Sequence, residues 1–405
     1  MKSKANTTTT PDSPKRASDA DANVAPTPDA PCVLQVLPRL ETGGVERGAV
    51  DMAAALVQAG WRAVVVSAGG VMVREVERSG ATHVTLPVDS KNPLVIYRNI
   101  ARLTEIIRRH GVDIVHARSR APAWSARSAA RRTGTPFITT FHGTYNFGTP
   151  LKRWYNSIMT RGERVIAISE FIGQHVVEAY GLDPQRLRVI PRGIDVAAFD
   201  TSRVSAERVV QLARGWRLPD GVPVVMLPGR LTRWKGQVVL IEALARLGRR
   251  DLCCLLVGSD QGRAGYREEL EHLIRARGLE GVARVVDHCR DMPAAFKLAD
   301  VVIHASTDPE AFGRVIAEAQ AMGRPVIATD HGGAREIVRP GETGWLVPPG
   351  DPDALAAAIN EALSLDGDRR LAIAEAATAN VRERFSRERM CADTLAVYAE
   401  VLAAT

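Results

Sequence analysis

Short apolar runs that alternate with helical spans constrain this chain more than any other feature. Val33–Leu37, Ala63–Ser67, Ile114–His116, Phe137–Thr140, Val165–Ile168 and Arg188–Ile190 read as strands. Helical patterns fall between them, including Val45–Gly60 and Val73–Ser79. The polar stretch Asp195–Pro223 interrupts the alternation. It restarts with Val224–Leu227, Leu252–Val257, Val282–Val286, Val301–His304 and Pro325–Ala328. Short apolar strands joined through helices predict parallel sheets covered on both faces. At 405 residues the chain exceeds one ordinary core, so two such halves are expected. The boundaries are a tail over 1–31, a first domain over 32–200, a linker over 201–222, a second domain over 223–385 and a terminal helix over 386–405.

Composition removes several classes. Residues 1–31 are polar and dotted with proline, and read as a disordered tail instead of a signal peptide. No run of about 18 uncharged apolar residues exists to form a spanning helix. Five cysteines, with Cys32, Cys253 and Cys254 in strand-like runs, fit buried thiols in a reducing compartment, and a cytoplasmic location is expected. There is no C-x-x-C and no His, Cys or acid cluster at metal spacing, so neither a catalytic metal nor a cofactor is expected. Residues 91–164 hold fourteen Lys or Arg against Glu105, Asp113 and Glu163, a net +11, which leaves −4 for the remainder of a +7 chain. Charge concentrated in one half points to an anionic partner for that half. No RNA- or DNA-binding motif accompanies it, so nucleic acid is not expected.

The segment richest in chemistry is Glu310-Ala-Phe-Gly-Arg-Val-Ile-Ala-Glu318. From Arg314 the apolar residues Val315, Ile316, Ala319 and Met322 recur at helical spacing, with Gly323 as a left-handed stop. Glu318 falls within roughly 80° of the centre of that apolar face, which is costly unless the carboxylate is hydrogen-bonded. Glu310 sits at the carboxyl end of a strand, where open α/β sheets bind ligands. Two acids flanking a helix start, with Phe312 and Gly313 between them, suit a ligand carrying both phosphate and hydroxyls. Gly229-Arg230-Leu231-x3-Lys235-Gly236 follows the first strand of the second half, and its two cations suit a diphosphate. Thr42-Gly43-Gly44-Val45-Glu46 opens a helix, and paired glycines there allow close approach of amides to phosphate.

Glu310-x7-Glu318 resembles the paired-glutamate motif of the retaining glycosyltransferase family 4, and the match runs from about Val33 to Phe385 with the other motifs in order. The resemblance implies an α/β fold of the GT-B type: two Rossmann-like, doubly wound parallel-sheet domains facing across a cleft. The first would lie on the acceptor side, the second would bind the nucleotide sugar, and the terminal helix would cross back. It implies that Glu310 lies against the donor sugar, that Glu318 holds the ribose hydroxyls, and that Gly43 and Gly44 border the diphosphate. His142, in Phe141-His142-Gly143, would lie beside the donor sugar and the attacking acceptor. The implied catalytic set is Glu310, His142, Arg230 and Lys235; Phe312 and Gly313 complete the nucleotide-sugar site. Retention follows from the resemblance alone. Whether Glu310 attacks or only holds the sugar is open, because the sequence shows no pair of carboxyls about 5 Å apart. One departure stands out: the asparagine usual in the Pro-Asn-Gly-Ile-Asp stretch is Arg192 here.

Arg118 and Arg120, across Ser119, resemble a clamp for carboxylate or phosphate on an acceptor. With Ser90-Lys91-Asn92-Pro93 and the helix start Val45-Glu46-Arg47-Gly48, they resemble members that build lipopolysaccharide core, among them mannosyltransferases acting on a Kdo-bearing lipid A precursor. The resemblance implies transfer of mannose from GDP-mannose to an anionic glycolipid, with peripheral contact at the inner membrane leaflet. The alternatives are a soluble acceptor such as a sugar phosphate, or a non-catalytic protein that binds nucleotide sugar. Lys152-Arg153-Trp154-Tyr155 reads either as an interfacial segment or as a helix with Trp154 in the core. Asp19-Ala-Asp21 mimics a metal motif but lies in the tail. Asp351-Pro-Asp353 reads as a helix start, with Asp351 as cap.

Overall fold

The computed structural model describes residues 27, 29–145, 148–262 and 264–404. Asp19-Ala-Asp21 and the tail as far as residue 26 lie outside the described residues. Seven strands form the first sheet: β1 (Cys32–Val36), β2 (Arg62–Ser67), β3 (Thr82–Thr85), β4 (Ile114–Ala117), β5 (Phe137–Phe141), β6 (Arg164–Ala167) and β7 (Leu187–Val189). Six form the second: β8 (Val224–Pro228), β9 (Cys253–Val257), β10 (Ala283–Val286), β11 (Val301–His304), β12 (Val326–Thr329) and β13 (Trp345–Val347). The orders are β3-β2-β1-β4-β5-β6-β7 and β10-β9-β8-β11-β12-β13. Neighbouring strands pair in parallel throughout. The chain has the expected GT-B architecture of two Rossmann-like domains.

The central strands β1, β4, β5, β8, β9, β11 and β12 are buried along their whole length, as both-face coverage requires. The strands the periodicity misses are β3 and β13. Both are edge strands; β3 exposes Thr82 and Thr85, and β13 is three residues long. The five cysteines are buried and free.

The span read as a linker is a structured part of the second half. Ser205 accepts a hydrogen bond from the Arg208 amide and caps the helix Ala206–Gly215. That helix packs on Met292–Leu298, with Arg208 paired to Asp291 at 2.6 Å. Val209 and Leu212 pack against the core, but the surrounding stretch is polar overall, so composition alone reads it as a connector. Asp351 caps Pro352–Leu363 as expected, its Oδ1 accepting from the amides of Asp353 and Ala354. Trp154 is 58 % exposed and lies against Trp124, with ring centroids 4.6 Å apart, which removes the core reading of that helix. Among the described residues no helix is long and apolar enough to cross a membrane.

The terminal helix, Arg387–Ala403, starts at a Ser386 cap and packs on the helix Gly44–Gln58 of the first half. Tyr398 is fully buried there, its hydroxyl 2.6 Å from His116 Nδ1, while His116 Nε2 meets Thr140 Oγ1 at 2.7 Å. Glu400 pairs with Arg164 and Arg188. Burial holds the His116 imidazole well below its ordinary pKa, so it is neutral and needs both partners. Tyr398→Phe keeps the shape and strands one ring nitrogen, which should cost about 1–2 kcal/mol. Urea unfolding at unchanged m value reads this directly; an unshifted midpoint would mean the contact contributes nothing.

Candidate active site

Strand order reverses between β1 and β4 in one sheet and between β8 and β11 in the other. Connections leaving such neighbouring strands diverge to opposite faces and open a crevice at their carboxyl ends. The singled-out residues leave from those ends: Gly43 and Gly44 after β1, Arg118 after β4, Gly229 to Lys235 after β8, and Glu310 after β11. A cavity of about 750 Å³ is lined by Thr42, Gly43 and Gly44 of the first half and by Gly229, Arg230 and Glu318 of the second. It continues over Val257, Gly258 and Ser259 beyond β9 and over His288 and Cys289 beyond β10. The helix Gly44–Gln58 begins at this cavity, and first-turn amides have no partner within their own helix. Together with the dipole they favour an anion at that wall.

Arg230 and Lys235 flank Trp234, with Arg230 Cζ 6.0 Å and Lys235 Nζ 4.5 Å from its ring centroid. They do not meet at one point. Arg230 lines the cavity, whereas the Lys235 ammonium bonds the Glu310 carboxylate. The cause is the turn Arg233–Lys235 and the Gly236 that closes it. Gly236 has φ +75°, and a Cβ there would lie 1.8 Å from the Ala305 carbonyl oxygen. The turn is therefore seated on the exit of β11, beside Glu310.

Glu310 Oε1 accepts from Ser306 Oγ at 2.6 Å, from His304 Nε2 at 2.7 Å and from Lys235. Burial alone would raise its pKa, but His304 and Lys235 outweigh it and hold the carboxyl far below its ordinary range. No hydrogen bond reaches Oε2 among the described residues, which leaves its lone pairs available. The Gly333 amide donates to the Glu310 carbonyl at 2.9 Å, and Phe312 is buried edge-on to Phe385, centroids 5.6 Å apart. These contacts fix the loop that carries Glu310, Phe312 and Gly313.

The helix Arg314–Ala321 follows, and Gly323 stops it at φ +62° as expected. Glu318 is 8 % exposed, and Arg314, one turn earlier, donates to its Oε1 at 2.7 Å. Burial still raises its pKa, with Arg314 opposing. His142, just past β5, is held well below its ordinary pKa by burial and by Arg192, Arg118 and His116. Its Nδ1 lies 3.1 Å from Arg192 Nη1.

The arginine clamp is not formed. Arg118 is 6 % exposed and donates through Nε to Gln35 at 2.6 Å. Arg120 donates to Asn156 Oδ1 at 2.9 Å and lies 4.1 Å from the Tyr145 ring centroid. Arg118 ends an extended segment while Arg120 is the first residue of the helix Arg120–Thr133, so the alternation that would align them is broken. Trp234, His304, Ser306 and Gly333 are additional to the residues predicted from sequence. His304 had a legible signal, a polar side chain ending an apolar strand, and so did the glycine pair Gly332-Gly333 after β12; Trp234 had none.

Comparison with known proteins gives a consistent result. The family described as Glycosyltransferase Family 4 matches residues 42–198, and that described as Glycosyl transferases group 1 matches residues 211–380. A D-inositol 3-phosphate glycosyltransferase of Xylanimonas cellulosilytica is 32% identical over 313 residues, covering 71% of this chain and 72% of that protein. A glycosyltransferase from Rickettsia africae ESF-5 is 39% identical, covers 93% of this chain and 100% of its own, and superposes with a TM-score of 0.87. The Anabaena protein HepE, solved in complex with UDP and glucose, is 26% identical, covers 92% of this chain and 99% of its own, and has a TM-score of 0.77.

The Lys235–Glu310 pair makes a prediction about stability. Lys235→Met leaves a buried carboxylate short of a donor and should destabilise by on the order of 3 kcal/mol. Adding Glu310→Gln should return much of that loss. Because the Glu310 pKa is depressed on folding, its contribution is complete above the ordinary carboxyl range and lost as pH falls through the depressed value. Denaturant midpoints of the two single variants and the double variant at neutral pH give the coupling; additive losses would break the pairing argument.

Proposed function

The chain belongs to the group 1 and family 4 glycosyltransferases, and from that premise we propose that it moves a hexose from a nucleoside diphosphate sugar to an anionic acceptor, retaining anomeric configuration. The observation that carries this reading is the single cavity bounded by a helix N-terminus at Gly43-Gly44, the Arg230 guanidinium and the Glu318 carboxylate. In it, the diphosphate lies against the amides and Arg230, the ribose hydroxyls donate to Glu318, and the sugar hydroxyls donate to Glu310 Oε2. Lys235 is close enough to Glu310 to share its charge with a departing phosphate. Arg230 and Lys235 supply positive charge where negative charge grows, so a metal ion has no assigned task.

For the donor, GDP-mannose is favoured by the resemblance of Ser90–Pro93 and His116–Trp124 to core mannosyltransferases. A UDP-sugar is favoured by the UDP and glucose bound to HepE. For the acceptor, exposed Leu151 and Trp154 beside Lys152 and Arg153 suit an anionic bilayer surface, and hence a glycolipid met at the cytoplasmic face. The name of the Xylanimonas relative favours a soluble sugar phosphate. Both acceptors present an anion to the basic first domain.

Thermal shift with GDP-mannose, UDP-glucose, GDP and UDP tests the core of the proposal and separates the donors; no shift with any of them would sink it. Co-sedimentation with vesicles containing anionic lipid separates the acceptors, since an enzyme for a soluble acceptor has no reason to follow them. Arg230→Ala should lower kcat/KM by an amount on the order of 2–4 kcal/mol while the fold persists. Activity should also survive EDTA; loss that magnesium or manganese restores would overturn the assignment of charge stabilisation to the two cations.

A further inference from the structure

Arg192 is where the chain departs from the family pattern, and it is buried in the interdomain crevice at 6 % exposure. A guanidinium has donors and no acceptor, so across the 3.1 Å contact Arg192 Nη1 donates and His142 Nδ1 accepts. Nδ1 therefore carries no proton. The proton of the neutral ring is on Nε2, and that nitrogen is buried with no partner among the described residues. A buried N–H without an acceptor is uncommon in a folded chain and costs about 1–3 kcal/mol.

The surroundings leave Arg192 little alternative placement. The helix Gly44–Gln58 presents glycine at positions 44 and 48, one turn apart. A Cβ at Gly48 would lie 2.9 Å from Arg192 Nη2, and one at Gly44 would lie 3.5 Å away. The helix thus has a flat strip against which the guanidinium rests. The Arg192 amide donates to the Ile168 carbonyl at 3.2 Å, anchoring its backbone to the first half. The charged groups around it are Glu46 and Asp51 on that helix, Arg118 beyond β4 and Arg314 at the start of the helix Arg314–Ala321. His142 itself faces Arg192, Arg118 and His116, with no carboxylate among its charged neighbours. Nothing in this shell would stabilise an imidazolium.

We propose that Arg192 is a positioning residue that locks His142 in the tautomer protonated at Nε2, so that His142 meets the substrates as a hydrogen-bond donor to an oxygen lone pair. In this arrangement His142 cannot accept a proton from the acceptor hydroxyl, because its basic nitrogen is already engaged. An asparagine at 192 has a carbonyl as well as an amide and imposes no such choice. The inference deepens the glycosyltransferase reading, and a substrate-free readout keeps the two separable.

The test is long-range 1H–15N correlation on the full chain labelled with 15N-histidine at pH 7.5, with His142 assigned through His142→Gln. The expected result is an unprotonated Nδ1 and a protonated Nε2. Arg192→Lys, which still donates, should keep that pattern. Arg192→Glu, which accepts, should move the proton to Nδ1 or give the imidazolium. Where the proton moves to Nδ1, Arg192→Glu should lower kcat about a hundredfold, the scale of a lost transition-state donor, with KM for the nucleotide sugar much less affected. Arg192→Asn, which offers an acceptor as well as a donor, should let the tautomer protonated at Nδ1 appear in the spectra. A proton on Nδ1 in the unaltered protein, or an unchanged tautomer in Arg192→Glu, would overturn the proposal. If Arg192→Glu fails to fold, the spectra of the unaltered protein and of Arg192→Asn decide the matter. Failure to bind any nucleotide sugar, with the expected tautomer present, would refute the enzymatic reading and leave the lock standing.

Discussion

A parallel sheet delivers the carboxyl ends of all its strands to one edge, and this constraint places nearly every residue of interest here. Each sheet reverses its order once, so each has one pair of neighbouring ends with diverging connections. Glycine-rich turns leave β1 and β8, and polar side chains leave β4 and β11. Loops from both sheets line a single cavity, so the two edges face one another. The arrangement of the candidate site is therefore a consequence of topology before it is a consequence of any one side chain.

The crevice carries an unusual load of buried charge, and each charge is handled differently. Glu310 is surrounded by three donors on one oxygen, which keeps it ionised despite burial. Glu318 has one donor, Arg314, and its pKa is raised. Arg192 has only a neutral imidazole as hydrogen-bond partner among the described residues, and burial pulls it down to about 9. Desolvating a cation without a counterion is expensive. Arg118 is a second such cation, with neutral Gln35 as its side-chain partner and a pKa lowered by burial.

How much of this was legible follows from the range of the interactions. Strand ends and helix starts depend on neighbours a few residues away, so β11 emerges at Val301–His304 as read, and Gly323 stops its helix. Glu318 also yielded to a local argument, since its partner is four residues upstream. Arg118 did not, because its surroundings include Cys391 and Tyr398, more than 270 residues later in the chain. The helix Ala206–Gly215 was hidden for the opposite reason. None of its residues is fully buried, and its apolar side chains, Val209 and Leu212 among them, stand within a long polar stretch that reads as a connector. The bond from Lys235 to Glu310 is not legible in the sequence, because the seating of Gly236 on Ala305 is a contact between two strands' exits and leaves no trace in spacing.

The way the halves are joined bears on the surroundings of the Arg192–His142 contact. The chain crosses between domains near Ile194 and returns near Ser386, and the two crossings are bound as one ribbon. Ile194 donates to the Phe385 carbonyl at 2.9 Å and accepts from the Arg387 amide at 2.8 Å, and Arg387 pairs with Asp195. Elsewhere the link is made through side chains: Glu336 accepts from the amides of Glu170 and Phe171 at 2.9 Å each, and Ser169 Oγ donates to the Ala311 carbonyl at 2.6 Å. The ribbon has two backbone bonds and the side-chain link has three, at about 1 kcal/mol each, so the two joints hold the halves on a comparable scale. Arg192 lies two residues before Ile194, with its backbone held to Ile168. Arg192 and His142 both belong to the first half, so their contact does not depend on how the halves are set, whereas Arg314 faces Arg192 from the second half.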